Sequence, residues 1–133
     1  MKSIFTFTNY RLFLKDFYEW HKEYERGFSY REMARMVGFT SPNYLKLVID
    51  GTRSLGRKSI KKVSDGLRLR KHESEYFSYL VFFAQAKNDI DRNYYLGLIS
   101  SMRASTVETE LKAEQFDYLS KWYIPVIREL LVG

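Results

Sequence analysis

With only 7 Gly and 2 Pro in 133 residues, this chain has few places to reverse direction. Hairpins, bulges and tight turns draw on residues that reach positive φ or hold it near −65°. A turn-rich β architecture is therefore excluded, and helices joined by short connections remain. The length sets one domain, or two small ones. Hydrophobic residues at 45% supply a packed core, and 17% aromatics (11 Tyr, 10 Phe, 2 Trp) bring large contact areas to it.

The apolar spacing predicts an all-α, compact bundle of about seven helices. Helix 1 is expected from about Asn9 to Tyr24, with Leu12, Phe13, Phe17, Trp20 and Tyr24 stepping by three and four. Ser29 followed by Glu32 forms a capping-box pattern, which starts helix 2 and carries it to about Val37. Gly38 is placed to end it in the left-handed conformation. Ser41-Pro42 opens helix 3, a capping hydroxyl followed by proline at the first helical position. Leu45, Val48 and Ile49 form its inward stripe, and Asp50-Gly51 stops it. Helix 4 covers about Arg57 to Leu67, and helix 5 about His72 to Lys87. Helix 6 covers about Ile90 to Met102, helix 7 about Ala113 to Leu131, and Met102–Leu111 is the expected loop. Ile4-Phe5-Thr6-Phe7 is compatible with an extended segment, too short for a sheet. Helix 5 is apolar nearly all round, as a core element against helices 1, 6 and 7 or a dimer face would be. Trp122 and Tyr123 fit a core or a docking role, and Pro125 starts or kinks a helix.

Several function classes drop out. Zero Cys excludes a disulfide scaffold, a thiolate zinc site and a Cys nucleophile, and His21 and His72 stand far apart. There is no phosphate-cradling glycine loop and no nucleophile–base pair at readable spacing, so no catalytic, metal or cofactor role is expected. The longest apolar run, Tyr79–Ala84, is too short to span a bilayer, and Met1-Lys2-Ser3-Ile4 opens no signal-peptide core. A cytoplasmic location without membrane attachment is expected.

Charge is segregated. The net charge is +6, yet residues 28–72 alone hold 11 basic and 3 acidic side chains, net +8. Residues 1–27 are nearly balanced, and residues 73–133 hold 6 basic and 9 acidic. A local cationic field of this kind favours a polyanion.

The same segment carries a second signal. Ala34 lies four residues before Gly38, so a small side chain sits where a following helix must cross closely. That is the steric logic of a helix-turn-helix, whose second helix enters the major groove. The stretch Ala34-x3-Gly38-Phe39-Thr40-Ser41 … Leu45-x2-Val48-x2-Gly51-x-Arg53 resembles the phage-repressor-like (lambda repressor/Cro, Xre-type) helix-turn-helix, with a turn one residue longer than is usual there. The chain as a whole is similar to a bacterial family of transcription regulators. The matching residues are Tyr10-Arg11-x-Phe13-Leu14-Lys15-Asp16, Phe28-Ser29-Tyr30-Arg31, Gly38-Phe39-x-Ser41-Pro42-Asn43-Tyr44, Glu73-x-Glu75-Tyr76-Phe77 and Lys121-Trp122-Tyr123. In that family a repressor-like module precedes a domain of winged-helix character. The resemblance implies double-stranded DNA as partner, a homodimer as the assembly, and a chain that stops where that second domain begins.

On this reading residues 1–87 are the DNA-binding domain, with the helix-turn-helix at about 29–51, and residues 88–133 are a helical extension packed on it. Ser41, Asn43, Tyr44, Lys46 and Leu47 are left facing outward on helix 3 and are the base-contact candidates. Asn43 suits adenine, Lys46 a guanine or a phosphate, and Tyr44 and Leu47 a thymine methyl. Arg53, Arg57 and Lys58 after helix 3, with Arg31 and Arg35 on helix 2, are the phosphate-contact candidates. The aromatic helices and acidic C-terminal half also fit an alternative, a protein–protein interaction module of helix-turn-helix shape with no DNA target.

Overall fold

The computed structural model describes the backbone of residues 1–132 and the side chains of residues 1–109 and 111. Over these residues the chain is helical and contains no strand. A short 3₁₀ turn at Ile4–Thr6 leads into α1 (Tyr10–Tyr24), α2 (Tyr30–Val37), α3 (Pro42–Asp50), α4 (Arg57–Gly66), α5 (Lys71–Gln85) and α6 (Asp89–Val132). The N-terminal segment is thus coiled rather than extended. Ser3 caps it by accepting from Phe5 N, and Ile4 is buried against α5 and α6.

Among the described residues there are six α-helices, not the seven expected. The expected loop at Met102–Leu111 continues as helix inside α6. Nothing in that segment breaks a helix, since it holds neither Gly nor Pro. Its Thr106 and Thr109 hydroxyls donate back to the carbonyls of Met102 and Ser105, 2.9 Å each. That pairing keeps them from pulling the backbone out of helix. The side chains of Trp122, Tyr123 and Pro125 lie outside the described residues.

The core is one cluster with α5 at its centre. Tyr76, Phe77, Leu80 and Val81 are all fully buried, and α5 packs against α1, α4, α6 and the 3₁₀ turn. From α1 come Tyr10, Phe13, Leu14, Phe17 and Tyr18. Leu12 and Tyr24, expected in that stripe, are instead 55% and 65% exposed. The buried face keeps Phe13 and Phe17 of that stripe and adds Tyr10, Leu14 and Tyr18. There the Phe77 ring takes the edges of Tyr10 and Phe13, at centroid distances of 6.4 and 6.0 Å. The other terminus of the bundle is closed by Tyr18, stacked on Tyr30 at 3.7 Å.

Candidate nucleic-acid interface

Two short helices, α2 and α3, lie within the cationic segment 28–72, most of whose basic side chains come at Arg53 and beyond. Ser29 caps α2 by accepting from Glu32 N at 3.3 Å. The reciprocal half of the expected capping box is not made, because the Glu32 carboxylate pairs with Arg35. The Arg35 guanidinium hydrogen-bonded to it holds that carboxyl below the ordinary glutamate range. Gly38 takes φ 78°, which lets Phe39 N reach back to Ala34 O at 2.9 Å and closes the helix. With Met33, Ala34 and Val37 buried on one side and Leu45 and Val48 on the other, α2 and α3 pack directly on each other. Gly66 at the end of α4 lies against the last turn of α2. A Cβ there would stand 2.6 Å from Met36 O and from Val37 Cα.

Helix α3 has two chemically distinct faces. Leu45 and Val48 are 0% exposed. Ser41, Asn43 and Lys46 are exposed, and none makes a hydrogen bond or ion pair within the chain. Ser41 stands at the N-cap of α3 without donating to or accepting from the helix, so its hydroxyl is available to an external group. Leu47 is half-buried and lines a groove of about 440 Å³ between Ser41, Tyr44, Arg53 and Lys62. Tyr44 is half-buried too, and its hydroxyl is already engaged. It donates to Ser54 O at 2.9 Å and accepts from Gly56 N at 3.3 Å.

The segment after α3 is tied down at nearly every backbone group. Gly51, at φ 88°, caps α3, and Thr52 N and Arg53 N both return to Leu47 O. Leu55 is fully buried; its N–H donates to Tyr10 Oη at 3.3 Å, and its carbonyl accepts from Gln85. The most connected contact comes from α1. Arg11 Nη1 donates to Val48 O, in the last turn of α3, and at 2.7 Å to Arg53 O. A guanidinium over the carbonyl end of a helix also suits the helix dipole. No local pattern marks Arg11 for this role, because its acceptors lie 37 and 42 residues away. Its sequence trace is only a cation directly after Tyr10, a core position.

The cationic side chains fall into two groups. Arg31, Arg53, Lys58, Lys61 and Lys62 are exposed and carry no ion pair. Arg35 is exposed but paired with Glu32, and Arg57 is exposed with its guanidinium 5.1 Å from the centre of the Phe82 ring. Arg57 and Lys58 open α4, whose first turn has no acidic residue and no side-chain cap. Cations at a helix start oppose its dipole.

Compared with known proteins, the chain matches no family model, no curated sequence and no solved structure. Among the described residues no group of three or more His, Asp or Glu is placed to hold a metal ion, and no helix is long and apolar enough to cross a membrane.

Proposed function

We propose that this chain binds double-stranded DNA sequence-specifically, as a cytoplasmic transcription regulator whose α3 lies in the major groove like the second helix of the phage-repressor module it resembles. One observation carries this reading. The outward face of α3 presents Ser41, Asn43 and Lys46 without partners, while its opposite face is buried to 0% exposure at Leu45 and Val48. Unpaired polar side chains on a helix anchored from behind are what base-edge readout requires.

Asn43 is assigned a bidentate contact to adenine, Lys46 a guanine or a phosphate, and Leu47 a thymine methyl. Tyr44 braces the 54–56 segment through its hydroxyl, leaving only its ring edge for a base. Arg53 and Lys58 serve as phosphate ligands, joined by Arg57 and Arg31. Arg35 contributes once it exchanges Glu32 for a phosphate.

A selection from random duplexes supplies the site, and titration at several salt concentrations tests the mechanism. The logarithm of the binding constant falls linearly with that of salt, by about 0.9 for each phosphate neutralised. Arg53→Ala lowers that slope by about one and leaves the preferred sequence unchanged. Asn43→Ala leaves the slope unchanged and weakens discrimination at one base pair by about 1–3 kcal/mol. A salt response that is flat, or the absence of any selected duplex, overturns the reading.

A further inference from the structure

Helices α4 and α5 run antiparallel across the short connection at residues 67–70. The start of α4 therefore meets the end of α5, where the Arg57 guanidinium lies 5.1 Å from the centre of the Phe82 ring. Between the two helices runs a groove of about 430 Å³. That size suits a small molecule rather than a polymer. One of its walls holds an anomaly. Ser64 is 4% exposed and lines the groove, and its hydroxyl has no hydrogen-bond partner within the chain. Helical serines commonly return their hydroxyl to a carbonyl of the preceding turn. Ser78, across the groove, does so by donating to Glu75 O at 2.7 Å. A buried hydroxyl without a partner is unfavourable, so Ser64 gives the groove a donor that a ligand can satisfy.

Two charges of opposite sign flank Ser64. Lys61 and Asp65 are exposed and line the groove one helical turn apart, and neither makes an ion pair. Lysine four residues before a carboxylate is the less favourable order for a pair on one helix. Arg57 is engaged with Phe82, and Glu75 lies 3.9 Å from His72 Nδ1, so neither is asked to hold the ligand. A simple anion drawn to Lys61 meets Asp65 within a turn, and a simple cation meets the reverse. A ligand carrying both signs on neighbouring atoms satisfies both. We propose that this groove binds a free α-amino acid with an apolar side chain. Lys61 takes its carboxylate, and Ser64 Oγ donates to the same carboxylate. Asp65 accepts from its ammonium, and its side chain lies on Ile60 and the Phe82 ring. The site stands apart from the DNA reading, because binding is measured with no DNA present.

Calorimetric titration of the purified chain with L-leucine and with L-phenylalanine gives saturable binding, with a dissociation constant of about 1 mM or tighter. L-phenylalaninamide lacks the carboxylate and N-acetyl-L-phenylalanine lacks the ammonium; each binds at least about tenfold more weakly. Lys61→Met and Asp65→Asn each weaken L-phenylalanine binding about tenfold. Ser64→Ala separates binding from folding. It removes a hydroxyl that supports nothing within the chain, so the thermal midpoint holds or rises while the affinity falls about fivefold. The proposal is overturned by the absence of saturable heat with both amino acids, by charge-neutralised analogues that bind as well as L-phenylalanine, or by full affinity in Ser64→Ala. A Ser64→Ala midpoint well below the parent's also overturns it, since the hydroxyl is then already satisfied by the fold.

Discussion

Arg11→Met lowers the unfolding free energy by about 2–4 kcal/mol and, in the protein that remains folded, weakens the proposed DNA binding about tenfold. Methionine keeps much of the apolar stem and removes the charge and both donors. Hydrogen bonds from a charged donor contribute about 1.5–3 kcal/mol each. Two are lost at once: Val48 O at the end of α3 keeps only Gly51 N, at 3.1 Å, and Arg53 O in the following segment loses the guanidinium. The helix then has one tie fewer to α1, and Arg53, the proposed phosphate ligand, one restraint fewer. Urea unfolding measures the first effect. Duplex titration well below the unfolding midpoint measures the second, with an unchanged salt slope, since Arg11 is committed to two carbonyls and is not among the proposed phosphate ligands. A variant as stable as the parent shows that α3 needs no tie to α1.

The other large effect belongs to Gly66. In an open helix interior, alanine in place of glycine gains about 1 kcal/mol. Gly97 of α6 is such a position, with nothing within 4 Å of an added Cβ. At Gly66 the sign reverses. The added methyl stands 2.6 Å from two backbone atoms of α2, Met36 O and Val37 Cα, and 2.8 Å from Val37 Cγ1. Neither backbone atom can rotate away as a side chain can, so α2 and α4 must separate. Overpacking of this kind costs about 1–3 kcal/mol and takes its upper end against rigid backbone. Gly66→Ala is expected to lower the thermal midpoint by about 8 °C or more in a domain of this size, whereas Gly97→Ala raises it. Equal midpoints for the two variants refute the close approach of α4 to α2.

Much of the candidate interface was legible before any coordinates. Ser29, Gly38, Pro42 and Gly51 mark the ends of α2 and α3 to within a residue. The outward positions of Ser41, Asn43 and Lys46 follow from the stripe Leu45 and Val48 must bury. Helix 1 was less legible. It is so rich in apolar residues that spacing alone does not set the edges of its buried face: Phe13 and Phe17 are buried as expected, and Tyr10, Leu14 and Tyr18 join them in place of Leu12 and Tyr24. The segment Met102–Leu111 reads as a loop because Ser and Thr suggest one, whereas here the two threonine hydroxyls return to the helix's own carbonyls.

What the amino-acid order determined alone is local: where helices begin and stop, and how positive charge gathers between residues 28 and 72. Caps and turns act over at most four or five residues, so their cause and effect lie within one short window of sequence. Only the tertiary structure brought Arg11 to α3, turned the Tyr44 hydroxyl to the 54–56 segment, and set Ser64 in the groove between α4 and α5. Those outcomes depend on contacts between residues far apart in the chain, whose geometry exists only once the helices have packed.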